Sequence, residues 1–273
     1  MSGTDIRELD PETVDRIAAG EVVERPAAAV KELVENSLDA GADRIEVAIE
    51  GDGTDRIRVA DDGRGMSEAG VRAAVREHTT SKIRDLGDLE AARTLGFRGE
   101  ALHAIGSVSR LTITTCPPDG TATELRVEGG EVVDVAPAGR APGTTVEVED
   151  LFFNTPARRK YLGREATEFG HANRVVSRYA LANPGVAVSL DHDGREVFAT
   201  TGRGDLREAI LAVYGREVAE SMVAVDATPD GPLERVHGYV SDPEVTRSTR
   251  EYLSTFVNGR YVESAALREA VLA

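Results

Sequence analysis

The stretch from Pro26 to Val59 constrains the fold more than any other part of the chain. Val30, Leu33, Val34 and Leu38 recur at helical spacing, Pro26 suits a first turn, and Gly41 lies just past the end. Ile45, Val47 and Ile49 then alternate, Gly51-Asp52-Gly53-Thr54-Asp55 turns the chain, and Ile57 and Val59 alternate again. An amphipathic helix runs straight into a hairpin with one apolar face, and each apolar surface has to be covered by another element.

The remaining punctuation extends this pattern. Ser67 can cap a helix over about 68–78, and a second helix follows Gly99 through Ile105. Strand-like segments lie near 110–115, 121–127, 131–135 and 144–148, then a helix near 165–182. This order predicts an α+β fold with helices against one sheet. A Gly-rich break at Thr201-Gly202-Arg203-Gly204 precedes a helix from Leu206 to Tyr214, further strand-like segments, and a last helix from Ser264 that the chain end cuts short. A boundary near 203 divides the 273 residues into a domain over 1–202 and a smaller, truncated one over 203–273.

Composition narrows the class. With no Trp and 4% aromatic residues, the core rests on Val, Leu, Ile and Ala. Asp and Glu outnumber Lys and Arg by 48 to 32, a net charge of −16, which opposes broad attachment to nucleic acid or to an anionic membrane. Acidic residues occur throughout the chain, as on a surface suited to a high-salt cytoplasm. One cysteine, Cys116, excludes an internal disulfide, and no long apolar run suggests a membrane span or signal peptide, so the chain reads as cytoplasmic.

Three short motifs could carry chemistry. On the first helix Glu32 and Asn36 lie four residues apart, with Glu35 and Asp39 on their side; a plain solvated face is the competing reading. Asp61-Asp62-Gly63-Arg64-Gly65-Met66 ends a strand, where Asp61 could accept a base amino hydrogen, or the segment could be an ordinary turn. Gly96 and Gly99 precede a helix whose free N–H groups can hold a phosphate. Neither a Walker P-loop nor a GxGxxG fingerprint is present.

Taken together and in order, these motifs resemble those of the GHKL ATPases. Within that group the likeness to the MutL mismatch repair family is close. It is carried by Ile17 to Pro26, by Lys31-Glu32-Leu33-Val34-Glu35-Asn36-Ser37-Leu38-Asp39-Ala40-Gly41, by Gly96 to Leu102 and by Asn154 to Lys160, with a weaker echo at Val257-Asn258-Gly259-Arg260. The resemblance implies a GHKL sandwich of helices on a mixed sheet, followed by a second domain resembling the ribosomal S5 domain 2-like fold. It also implies an ATP- and Mg2+-dependent ATPase acting as a switch in mismatch repair.

Residue by residue, the resemblance makes Glu32 the general base for the attacking water and Asn36 the magnesium-holding amide. Asp61 becomes the reader of the adenine amino group, with Gly63 and Gly65 leaving space for the base and Thr144 closing the pocket. Thr80, Ser81 and Lys82 resemble one edge of a lid. Gly96, Arg98, Gly99, Glu100, Ala101 and Leu102 resemble its phosphate-facing edge, with contacts mainly through backbone N–H groups.

The chain before Ile17 resembles an arm that orders on ATP binding and joins two copies into a homodimer. A MutS-like mismatch recognition protein is the implied partner, with weak, salt-sensitive DNA contact. Arg158, Arg159 and Lys160 are the compact basic run that could supply that contact, or simply a helix start. The family's second-domain lysine would fall beyond Ala273, as would the C-terminal domain that in many members nicks DNA. A type II topoisomerase subunit would carry a different text at 96–102. A histidine kinase would need an upstream phospho-accepting histidine, and none precedes the first helix. An ATP-binding scaffold without turnover is the remaining alternative.

Overall fold

The computed structural model describes residues 22–77, 79, 99–230, 234–242 and 253–272. Its centre is an eight-stranded sheet made of β1 (Arg44–Glu50), β2 (Arg56–Asp61), β3 (Arg110–Cys116), β4 (Thr123–Glu128), β5 (Glu131–Pro137), β6 (Gly143–Glu149), β7 (Ala187–His192) and β8 (Arg195–Ala199). The strands lie in the order β5-β4-β3-β6-β2-β1-β7-β8. All neighbours are antiparallel except β1 and β7, which run parallel and make the sheet mixed.

Alternation decides which face is covered. Along β1, Ile45, Val47 and Ile49 are buried while Arg44, Glu46 and Glu50 are exposed, so one face is apolar and the other charged. On the open face Arg56 pairs with Glu50 at 3.1 Å and Arg58 with Glu46 at 3.9 Å. On the apolar face α1 (Pro26–Asp39) packs against β2, and α3 (Ala101–Ser107) against β3 and β4. The long α5 (Glu165–Ala182) packs against β7 and lies against α1. The short helices α2 (Glu68–Ala74) and α4 (Pro156–Arg159) complete this part, and Ser67 caps α2 by accepting from the Gly70 N–H.

The sequence pattern did not display β7 and β8. Their signal is modest: Val188 and Leu190 alternate with polar residues, and Asp193-Gly194 turns the hairpin with φ of 50° and 72°. β7 takes its place beside β1 through a crossover along α5, a long-range pairing that local periodicity does not record.

Beyond Gly202 come α6 (Leu206–Tyr214), α7 (Arg216–Glu220), β9 (Met222–Ala227) paired with β10 (Val236–Ser241), β11 (Phe256–Val257) paired with β12 (Arg260–Tyr261), and α8 (Ala265–Leu272). Asn258 and Gly259, both at positive φ, make the tight turn between the last two strands. Ala209, Ile210, Val218 and Ala219 form a second small core that also takes in Leu181 from α5. The aliphatic expectation holds: among the described residues, Phe152 and Phe198 are the aromatic members of the buried core.

The register predicts a contrast between neighbours on β1. Ile45→Ala should lower unfolding free energy by about 2–5 kcal/mol, because Ile45 is 0% exposed. Glu46→Ala on the open face should change it by less than about 0.5 kcal/mol. Urea unfolding of both variants checks the assignment of faces.

Candidate functional site

The site grows from the end of β2. Asp61 stands opposite Thr144 in the β2–β6 ladder, and the chain turns sharply after it. Asp61 Oδ1 accepts from the Gly63 N–H at 2.9 Å and the Thr144 N–H at 3.3 Å, and Oδ2 accepts from the Ser37 hydroxyl of α1 at 2.9 Å. Ser37 was not among the sequence candidates. Its sign is a buried serine on an otherwise apolar helix side, bonded also to the Leu33 carbonyl at 3.1 Å.

Burial raises the Asp61 carboxyl above the usual carboxylate range, and the Gly63, Ser37 and Thr144 donors, with the nearby Arg140 guanidinium, restrain the rise. Arg140 donates to the Asp61 carbonyl at 2.8 Å and to the Thr145 hydroxyl at 3.1 Å, bracing the same strand end. Thr144 is buried, its hydroxyl 3.1 Å from that of Thr115, which accepts from the Met66 N–H at 2.8 Å. The neighbouring Asp62 plays a different part, accepting from the Asp43 and Arg44 N–H groups at 2.9 and 2.8 Å and so fixing the start of β1.

Close packing within the protein requires both glycines of the turn. A Cβ on Gly65, which sits at φ 58°, would lie 2.0 Å from the Cys116 carbonyl oxygen. One on Gly63 would lie 2.8 Å from the Ala40 side chain. Both glycines therefore make room for protein backbone and helix end, and they let the Asp61 turn close against β3 and α1.

Along α1, Glu32 and Asn36 are half-buried on successive turns. Glu35, by contrast, is only 6% exposed, so the solvated-face reading fails for it. Lys31 Nζ is 3.0 Å from both Glu32 Oε1 and Glu35 Oε1. Burial alone would lower the Lys31 ammonium, but the two carboxylates outweigh it and hold it above its ordinary range.

Gly99, at φ 68°, leads into Glu100, whose carbonyl accepts from the Ala104 N–H at 2.8 Å, and Ala101 and Leu102 open α3. α3, which this segment opens, touches α1, the helix that carries Glu32. Thr80, Ser81, Lys82, Gly96 and Arg98, and the arm before Ile17, lie outside the described residues. Within the basic run, Arg158 donates to the Val23 carbonyl at 2.9 Å and the exposed Arg159 lies 3.8 Å from Asp55.

A helix bearing an acid and an amide, an Asp–Gly turn at a strand end and a glycine-led helix on one mixed sheet define a nucleotide-site architecture of the GHKL ATPase class. Residues 24–131 match the family described as histidine kinase-, DNA gyrase B-, and HSP90-like ATPase, and residues 210–273 match the DNA mismatch repair protein, C-terminal domain family. The ATPase domain of Aquifex aeolicus MutL complexed with ADP is 31% identical, with a TM-score of 0.72 over 91% of this chain and 87% of that one. The N-terminal domain of a DNA repair protein superposes with a TM-score of 0.80 at 28% identity, over 94% of this chain and 80% of that one.

The chain belongs to the MutL family of DNA mismatch repair proteins. It is 68% identical to MutL of Halobacterium salinarum over 98% of its own length, and 53% identical to MutL of Desulforudis audaxviator over 97%. It spans 41% and 47% of the lengths of those relatives.

Two outcomes test this geometry. Gly65→Ala should fail to fold stably, since its Cβ meets backbone 2.0 Å away at a positive φ. Asp61→Asn should unfold within about 1 kcal/mol of the parent at neutral pH, because a carboxyl raised by burial contributes stability only when protonated and costs it as pH rises through its folded value. The asparagine oxygen can still take the Gly63 and Thr144 donors while its amide faces Ser37. Adenine nucleotide binding should nevertheless be lost, by calorimetry. In the parent, binding should weaken on acidification at a higher pH than an ordinary aspartate would dictate.

Proposed function

We propose that this chain is the ATP-driven switch of a mismatch repair protein: it binds ATP with Mg2+, hydrolyses it slowly, and couples nucleotide occupancy to pairing of two N-terminal regions. The observation that carries the reading is the Asp61 network. It is a half-buried carboxylate kept ionisable by three donors, at the strand end beside the Glu32–Asn36 helix, in a chain similar to a MutL ATPase domain that holds ADP.

In this reading Asp61 accepts the adenine amino hydrogen, and guanine is refused because its oxygen would face an acceptor with no proton between them. The pocket beside Asp61 is closed by Thr144 and requires Gly65 for its turn. Gly99, Glu100, Ala101 and Leu102 present backbone N–H groups to the phosphates. The family resemblance assigns Thr80, Ser81 and Lys82 to one edge of a lid, and Gly96 and Arg98 to nucleotide contact at its phosphate-facing edge.

Asn36 fits a magnesium site: a neutral amide one helical turn from Glu32, leaving most positions to phosphate oxygens and water as this ion prefers. Magnesium bound there supplies neutralisation of phosphate charge. Glu32 orients the attacking water and takes its proton. Its position on a rigid helix, packed through Leu33 and Val34, keeps the carboxylate fixed relative to the phosphates.

The division into an ATPase domain over 1–202 and a second domain over 203–273 belongs to this proposal, as do the ATP-dependent homodimer, a MutS-like partner, weak salt-sensitive DNA contact and a cytoplasmic place of action. Among the described residues no helix is long and apolar enough to cross a membrane.

Steady-state phosphate release with ATP and magnesium in high salt tests the central claim. Glu32→Ala should reduce turnover by roughly 100-fold or more while leaving the ATP dissociation constant within about threefold. Native ATP binding without release would instead indicate an ATP-gated scaffold, and no binding at all would refute the site.

A further inference from the structure

The side of α1 that bears Glu32 also holds a connected set of charges. Lys31 Nζ lies 3.0 Å from Glu32 Oε1 and 3.0 Å from Glu35 Oε1. Glu35 is 6% exposed, and a carboxylate so enclosed has to be paired on each open side. Its second partner comes from another element: the Tyr179 hydroxyl of α5 donates to the same Oε1. Glu32 has 26% of its side chain open, so the set runs from a closed end at Tyr179 to an accessible end at Glu32.

We propose that Tyr179, Glu35 and Lys31 form a positioning chain that holds the Glu32 carboxylate in the orientation from which it takes the proton of the attacking water. The inference rests on the reading of Glu32 as general base. A lysine paired with one half-exposed glutamate is a loose, solvent-screened contact. Tying the same ammonium to a buried carboxylate, itself fixed from α5, removes most of its freedom.

The charged groups facing this set are few. Lys31 faces Glu32 and Glu35, and Tyr179 faces Glu35, Glu32 and Asp39, all on α1. Burial and then the Glu35 bond push the Tyr179 phenol well above its ordinary range, so it remains a donor throughout any working pH. None of Tyr179, Glu35 or Lys31 touches reacting atoms in this reading; all three act through Glu32.

The test is kcat against pH, with the ATP dissociation constant measured in parallel, for Tyr179→Phe, Lys31→Met, Lys31→Arg and Glu32→Ala. Tyr179→Phe should lower kcat on the order of tenfold, a fraction of what a general base contributes, with ATP affinity unchanged. Its acid limb should move to higher pH, because Glu35, stripped of the hydroxyl, draws the ammonium away from Glu32. Lys31→Met should move the limb further in the same direction, and Lys31→Arg should restore it in part.

A fall in kcat with an unmoved acid limb, or ATP affinity falling in step with kcat, would overturn the chain. Turnover lost in Glu32→Ala but untouched in Tyr179→Phe and Lys31→Met would overturn it while leaving the base assignment standing. Turnover retained in Glu32→Ala would remove that assignment and this inference together.

Discussion

The half-buried carboxylate of Asp61 is the constraint around which this end of the molecule is arranged. A charge at the end of an interior strand persists only if donors converge on it, and they come from three separate pieces: Ser37 on α1, Gly63 in the following turn and Thr144 on β6. Those bonds fix the helix against the sheet as much as they serve the carboxylate. Gly65 and Gly143 then become obligatory, since a Cβ on either would strike backbone at about 2 Å, at the Cys116 and Asp61 carbonyls respectively. Through Ser37 the same bonds tie this strand end to the helix that carries Glu32 and Asn36.

A second polar arrangement runs alongside and answers a different need. α1 and α5 pack against each other, and both bury apolar residues, yet Glu35 of α1 is buried and bonded to Tyr179 of α5. Lys31 and the Tyr179 hydroxyl make that tolerable. Burying a charge so close to the candidate base costs stability relative to an apolar pair, and such groups fix orientation where apolar contacts leave it loose. The two networks flank the same helix, Asp61 reaching it at Ser37 and Tyr179 at Glu35.

Much of the core was legible because it depends on periods of 3.6 and 2. Pro26–Asp39, the hairpin over 44–61, the four strands from 110 to 149 and the helix over 165–182 all emerge from residue spacing. Asp61, Asn36 and Glu32 were legible for another reason: their residue types and order resemble a known motif set. Ser37, Arg140 and Thr115 were not, because a serine or threonine has no chemical mark that tells a capping or strand residue from one aimed at a carboxylate. β7 and β8 were missed because short alternating segments between a helix and a glycine break give a weak local signal. The contacts of Arg158 with Val23 and of Arg159 with Asp55 were not legible, because their partners lie far away in the sequence.

The sequence by itself determined the elements, the face each one buries, the absence of an internal disulfide and the family, since all of these depend on residue type and near spacing. Only the tertiary structure decided that β7 lies parallel to β1, that Asp61 rather than Asp62 is the carboxylate on which Ser37, Gly63 and Thr144 converge, that Glu35 is buried, and that the glycines meet backbone and a helix end. Each of these depends on which distant segment arrives at a given point. Chain positions 37 and 61, or 35 and 179, acquire their meaning from being brought within hydrogen-bonding distance, and no local pattern in the chain records that meeting.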